Sequence, residues 1–339
     1  SFLTHRERLE AGNGRDFKLV VEIEFDDSGD SSLVVRDNAA GIAHRDYARA
    51  FRPAEIPVDR SGLSEFGMGM KSAACWFAPR WSVRTKALGE VTERTVNFDI
   101  DRIVNDKLDE LHVGLRQAKE STHFTEISLR RLHQVPQTKT LVKIRQYLGD
   151  IYRVFMREGL LDLRFNGESL KYKEPAVLTA PFFRDKTGPK HDWRKEISFD
   201  FGRGLSVHGF AAIRQEGSVS RAGFALFRRR RLIQGAGEEG YRPEEVFGKP
   251  NSYRYQRIFG ELHLEGFEVS HTKDGFRWDD NEQPFLELLK EELNAKPLPL
   301  LDQAEGLRVR AKSSDVRVGA EAAVERTAAV VETAVAKAL

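Results

Sequence analysis

The sequence predicts an α+β fold built in two parts, and three observations carry that prediction. Phe17, Leu19, Val21, Ile23 and Phe25 alternate strictly with polar or exposed-type neighbours, the pattern of a half-buried strand. Leu141, Ile144, Leu148, Ile151 and Phe155 recur at spacings of three and four, the stripe of a long amphipathic helix ending near Gly159. Beyond it the chain changes style, with short apolar runs separated by turn residues. A chain of 339 residues also exceeds one average core, which suggests about two domains.

In order along the chain, the first strand runs into turn chemistry at Asp26–Ser31, and Leu33–Val35 forms a second, shorter strand. His44–Phe51 reads as a short helix. Residues 52–66 hold two prolines, one glycine and several charges without a period, and are expected to be a loop. Lys71–Ala78 has helical character and stops at Pro79. Trp81–Leu88 and Glu90–Ile100 form a hairpin about Gly89, and Thr125–Leu129 alternates as a strand. Asn166-Gly167, between Leu161–Phe165 and Ser169–Tyr172, is the strongest short hairpin pattern in the chain. Glu196–Phe201 and Leu205–Ile213 flank Gly202-Arg203-Gly204 as another. Phe224–Ile233 and Ile258–Leu264 are further strands, and Phe285–Leu293 is a helix. The expected domains are residues 1–158, 159–298 and a helical or disordered tail, 299–339. In that tail Val324, Ala328, Val331, Val335 and Ala338 keep a 4-3-4-3 spacing for roughly two heptads, fewer than a coiled coil needs.

Composition excludes several classes. Hydrophobic residues make up 40% and charged residues 31%, enough apolar matter for a true core and no sign of wholesale disorder. The formal charge of +2 is too small to argue for nucleic acid by itself. A single cysteine, Cys75, forms no internal disulfide and suits a reducing cytoplasm. No His/Cys cluster has zinc-ligand spacing, and no apolar run is long enough to cross a bilayer. The opening Ser1–Arg6 is neither a signal peptide nor an initiator methionine, so Ser1 is expected to be a cut in a longer chain.

One constellation carries chemistry. Gly62 and Gly67, with Lys71-Ser72 following, imitate a P-loop, but a P-loop lysine must sit directly after the second glycine, where this chain has Met68. What remains is Asp37 at a strand end followed by Gly41, then Phe66-Gly67-Met68-Gly69-Met70-Lys71-Ser72 entering a helix, then Thr125 opening a late strand. A strand-terminal carboxylate accepts from an exocyclic amine, a charge-assisted bond worth roughly 1.5–3 kcal/mol. Gly41 is expected to let the backbone pass close to a flat ligand. Gly67 and Gly69 at a helix start aim backbone N–H groups outward, which suits a polyphosphate. Taken singly, each piece has a structural alternative: a turn at Asp37, tight packing at the glycines.

Asp37-Asn38-Ala39-Ala40-Gly41-Ile42 resembles the D-x-G-x-G box, and Phe66–Ala73 the lid-hinge glycine box, of the GHKL ATPases (gyrase B subunit, heat-shock chaperones, histidine kinases, MutL). Thr125–Leu129 is similar to the family's late strand. Phe227–Ile233 resembles the transducer strand of MutL and microrchidia (MORC) ATPases, and Ser270–Phe276 the MORC segment with a γ-phosphate lysine. The resemblance covers residues 17–295. It implies a Bergerat-type α/β sandwich, a mixed sheet with helices on one face, followed by a β-rich α/β transducer domain. It further implies that Asp37 holds the adenine amine with a water shared with Thr125, that Asn38, Gly41 and Ile42 line base and ribose, and that Phe66, Gly67, Met68, Gly69, Met70 and Lys71 bind the triphosphate under a lid of residues 52–66. Lys273 would sense the γ-phosphate from the second domain. ATP and Mg2+ are the implied cofactors, slow hydrolysis the activity, and a homodimer the implied ATP-bound state.

Three departures stand out. Ala39 replaces a glycine of the box, and Phe124 stands where a glycine usually precedes the strand threonine. The family's glutamate base and magnesium-binding asparagine, four residues apart on a preceding helix, have no counterpart between Ser1 and Phe17, since Glu10 and Asn13 are three apart. The expectation is that this helix lies upstream of Ser1, the alternative being a degenerate nucleotide binder. Arg228, Arg229, Arg230 and Arg231 invite DNA contact, supported by the prokaryotic defence setting of MORC-like relatives. In a strand only two of them would share a face, and Glu238-Glu239 or Glu244-Glu245 could neutralise them. A sensor histidine kinase and a non-catalytic interaction module are the competing classes.

Overall fold

The structure is a computed structural model that describes residues 2–51, 69–107, 110–202, 204–270 and 272–307. The first part comprises α1 (Arg6–Asn13), β1 (Leu19–Asp26), β2 (Ser32–Asp37), α2 (Tyr47–Phe51), α3 (Gly69–Phe77), β3 (Arg80–Lys86), β4 (Thr92–Asp99), α4 (Ile100–Asn105), β5 (Val113–Gln117), β6 (Phe124–Arg130), α5 (Thr138–Arg157), β7 (Leu161–Phe165) and β8 (Glu168–Ser169). These strands form one eight-stranded sheet in the order β5-β4-β3-β6-β2-β1-β7-β8. It is mixed: β1 pairs parallel with β7 and antiparallel with β2.

The register separates two faces, because directly paired residues share a side. Val35, Ile127, Val83 and Val96 are successive cross-strand partners, as are Leu33, Leu129, Trp81 and Phe98. These apolar rows form the front face, over which Ala74 and Ala78 of α3 and its C-terminal end are buried. Farther along the same face, Val21, Ile23 and Phe25 meet Leu141, Ile144, Leu148 and Phe155 of α5. The helices α3 and α5 thus cover one side, as the resemblance implies. The back face carries charge instead. Glu22, Arg36, Glu126 and Arg84 are successive partners, and Arg84 grips Glu126 at 2.8 and 3.2 Å.

The second part contains β9 (Thr179–Pro181), β10 (Lys190–Asp192), β11 (Arg194–Gly202), β12 (Leu205–Ile213), β13 (Gly223–Arg228), β14 (Arg231–Gln234), α6 (Glu244–Phe247), α7 (Tyr253–Arg257), β15 (Ile258–Glu265), β16 (Glu268–Val269), β17 (Phe276–Arg277), α8 (Glu282–Asn294) and α9 (Leu300–Gly306). Its five-stranded sheet runs β11-β12-β15-β13-β14, with β13 parallel to β15. Phe224, Leu262, Phe285, Leu289 and Leu300 belong to its core, so α8 and α9 close this sheet.

Several expectations shift. The helix α1 was not legible, since its only buried side chain is Leu9 and Gly14, with φ of 99°, ends it. The hairpin after residue 158 joins the first sheet through β1, so that sheet runs on to Ser169, past the break expected at 158. Phe224–Ile233 is not one strand: Arg229 and Arg230, with φ of 50° and 65°, turn it into the β13–β14 hairpin. Arg228 and Arg231 therefore face each other across the hairpin, and Arg230 pairs with Glu158 at 2.9 Å rather than with the acidic stretches downstream. The tail beyond Leu307 lies outside the described residues.

The helix α5 serves both sheets. Its apolar stripe faces the first, while Val154 packs with Ala225, Phe227 and Leu232 of the second. Beside it the Arg153 Nε donates to Glu261 Oε1 at 2.7 Å, and Arg157 Nη2 to Glu261 Oε2 at 2.7 Å. The Arg153 guanidinium lies 4.4 Å from the Tyr172 ring centre and 4.7 Å from that of Phe227. Burial opposes the charge on Glu261, but both guanidinium groups outweigh it and hold its carboxyl below the ordinary value. Removing one partner of a buried pair strands the other charge, at a cost of about 3–5 kcal/mol. Because Glu261 keeps Arg157 as a partner, Arg153→Met is expected to lower unfolding stability by less than that in a denaturant melt. Arg157→Met, at a half-exposed position, should cost less, and Arg153→Met with Glu261→Leu should recover part of the loss.

Candidate functional site

The end of β2 organises the site. Asp37 pairs with Val21 on one side and Thr125 on the other, Thr125 with Thr85, and Thr85 with Arg94. By register this polar row continues the apolar front face, on the side that α3 covers. Thr85 and Thr125 hydroxyls lie 3.3 Å apart. The Asp37 Oδ1 accepts the Ala39 amide at 2.8 Å, closing an Asx turn. Burial pushes the Asp37 carboxyl above its ordinary value, opposed by the Ala39 and Thr125 amides.

The loop after Asp37 is seated on β3. Gly41 has φ of 71°, and a Cβ there would lie 2.1 Å from the Lys86 carbonyl oxygen. A glycine is required at this position by the approach of the loop to the β3 backbone. Leu88 N–H donates to the Ala40 carbonyl at 2.9 Å, and Ile42 N–H to the Thr85 hydroxyl at 2.9 Å. Lys86 is fully buried with its ammonium donating to the carbonyls of Ala87, Glu90 and Thr122, which ties the end of β3 to the 117–123 loop. Asn38 is spent elsewhere. Its Oδ1 accepts from Val20 N–H at 2.8 Å and its Nδ2 donates to the Lys18 carbonyl at 3.1 Å, so its amide clamps β1.

Two supporting side chains escape sequence reasoning. The His123 Nδ1 lies 2.8 Å from the Asn38 carbonyl and 3.0 Å from that of Ala39, so it donates to them, while Asn13 Nδ2 approaches His123 Nε2 at 3.1 Å. Helix α1 thereby braces the loop, with Phe2 and Leu9 packed on the buried Ala39 and Ala40. Ala39 is among the buried residues and keeps a negative φ, so its Cβ is accommodated. Glu10 is paired with Arg6 at 2.6 Å.

Of the glycine box, Gly69, Met70 and Lys71 open α3, Met70 against the front core and Lys71 Nζ 3.4 Å from the Arg49 carbonyl. Phe66, Gly67, Met68 and the expected lid lie outside the described residues. Lys273 sits in the turn between β16 and β17 with φ of 58°, its N–H donating to the Ser270 carbonyl at 3.0 Å. Phe124 points to the back face, between the Arg36 and Arg84 guanidinium groups at 5.2 and 5.0 Å. A cavity of about 660 Å³ reaches the strand end at Asp37, but Glu22, Arg36, Arg116 and Phe124 place its walls on that charged back face. Among the described residues no group of three or more His, Cys, Asp or Glu side chains could hold a metal ion, and no helix is long and apolar enough to cross a membrane.

Residues 12–129 match the family of histidine kinase-, DNA gyrase B- and HSP90-like ATPases. The matched stretch contains Asp37, Gly41, Thr85, α3 and Thr125, and it supports the GHKL superfamily and its Bergerat-type ATP-binding fold for the first part of this chain, with a β-rich domain following. No curated protein matches the chain.

Gly41→Ala tests how the loop is built. The forced φ and the contact with Lys86 should cost about 2 kcal/mol or more, read as a lowered melting temperature without nucleotide.

Proposed function

We propose that the protein is an ATP-binding switch of the GHKL type in which Asp37 takes the exocyclic amine of adenine. The single observation that supports this reading most is the Asp37–Thr125–Thr85 row, a half-enclosed carboxylate beside two hydroxyls on the helix-covered face. Ile42 donates to Thr85 of that row, and Gly69–Lys71 open α3, a helix start of the kind that suits phosphates. Closure over the triphosphate, homodimerisation and sensing of the γ-phosphate by Lys273 belong to the same reading. A bound γ-phosphate acts only through contacts that differ between two arrangements, and α5 is the element through which the two sheets would feel them. Glu10 of α1 is paired with Arg6, and no hydrolytic step is assigned to the described residues.

The residues present fit the base end of ATP. A charged hydrogen bond of roughly 1.5–3 kcal/mol corresponds to about a tenfold to hundredfold change in affinity. Asp37→Asn is expected to abolish most of the stabilisation by a non-hydrolysable ATP analogue in a thermal-shift assay; a shift equal to that of the native chain would end the reading. The pH dependence has a definite sign. Because burial raises the Asp37 pKa, the uncharged carboxyl favours the apo fold, and that contribution fades as pH rises through the raised value. Amine binding needs the ionised form, so the analogue-induced shift should grow over the same rise in pH, and do so less in Asp37→Asn.

A DNA-related role is part of the proposal, and one observation favours it. The β13–β14 turn holds two arginines at positive φ, positions that Asn-Gly ordinarily fills. Replacing Arg229-Arg230 with Asn-Gly suits the turn and removes two cations at the hairpin tip. DNA retention should drop, and the salt dependence of binding should flatten by up to about two charges' worth. Unchanged retention with an unchanged salt slope would remove DNA from the proposal.

A further inference from the structure

Thr85 lies outside every motif in the sequence, yet it is 2% exposed and its hydroxyl has three polar neighbours. It accepts the Ile42 amide at 2.9 Å, it lies 3.1 Å from the Phe124 carbonyl, and it lies 3.3 Å from the Thr125 hydroxyl. A hydroxyl owns one proton and two lone pairs. The Phe124 carbonyl can only accept, so the Thr85 proton goes there, and one lone pair is used by the Ile42 N–H. What is left at Thr85 is an acceptor, and the group placed to use it is the Thr125 hydroxyl. The contact is long for O–H···O, so it directs a proton more than it binds.

We propose that Thr85 is a positioning residue that sets which nucleotide base the site takes. By drawing the Thr125 proton inward, it leaves lone pairs on the Thr125 oxygen turned outward, next to the acceptor-only carboxylate of Asp37. The row then offers acceptors to whatever it meets. Such a surface suits a base edge that ends in an amine and rejects one that ends in a carbonyl, since two acceptors brought together leave a polar group unpaired. The preference is for adenine over guanine. This rests on the nucleotide reading above and adds to it a residue that acts without touching the ligand.

Affinities for ATP and GTP, measured by calorimetry on the native chain, Thr85→Val, Thr85→Ser and Thr125→Val, test it. Valine keeps the branched shape and removes the hydroxyl. The ATP-over-GTP preference should fall by about tenfold in Thr85→Val and return in Thr85→Ser. Because Thr85 acts through Thr125, combining Thr85→Val with Thr125→Val should lower the preference no further than Thr125→Val alone. An equal loss for both nucleotides, or an unchanged preference, overturns the proposal, since a merely structural hydroxyl would produce one of these. Should Thr85→Val not fold, Thr85→Ala takes its place with the same two outcomes, and an intact preference in Thr125→Val also overturns the proposal, since Thr85 then has nothing to act through. A native chain that binds neither nucleotide refutes the nucleotide reading itself, whereas binding both equally refutes only the role of Thr85.

Discussion

The site depends on one approach of backbone to backbone. The 37–42 loop can lie on the end of β3 only because position 41 has no side chain and tolerates a positive φ. From that seat follow the Leu88–Ala40 and Ile42–Thr85 bonds, the burial of Ala39 and Ala40, and the shelter around Asp37. Lys86 supports the same corner from behind, its ammonium satisfied by main-chain carbonyls of two separate segments. A buried ammonium held only by carbonyl oxygens is tolerable because each of its protons can be directed at one of them.

The two faces of the first sheet divide the labour. On the front, apolar rows hold the covering helices and then give way to hydroxyls and a carboxylate at one end. On the back, opposite charges alternate across the strands, with Phe124 enclosed between two guanidinium groups. Charged residues at the surface of a sheet contribute little to stability individually, but they discourage another strand or sheet from stacking there. The Phe124 departure from the family pattern thus belongs to the back face, away from the row that Thr125 joins.

Much of this was legible in sequence where a period or a pair of glycines carried it. The alternation at Phe17–Phe25, the stripe of α5 and the Asn166-Gly167 turn each anticipated an observed element. What was not legible depends on partners distant in the chain. Helix α1 is held by Leu9 against a loop thirty residues on, with no amphipathic stripe to announce it. Thr85 left a faint mark, a polar residue at an inward position after Trp81 and Val83, and only the register with Thr125 gives it meaning. His123 and Asn38 bind main-chain atoms, an arrangement no residue spacing encodes. The arginine hairpin hid because its turn residues are the wrong type for the geometry they adopt.

The parallel pairing of β7 with β1 has a practical consequence for anyone wishing to isolate the first lobe. Trimming the polypeptide after Glu158 would strip β7 from its neighbour and leave Leu19, Val20, Val21, Glu22 and Ile23 as a bare, largely greasy rim. Open rims of that kind recruit copies of themselves. A usable fragment must keep the 161–169 hairpin, and because α5 is shared, it must also find some replacement for the surface that the second lobe now shields.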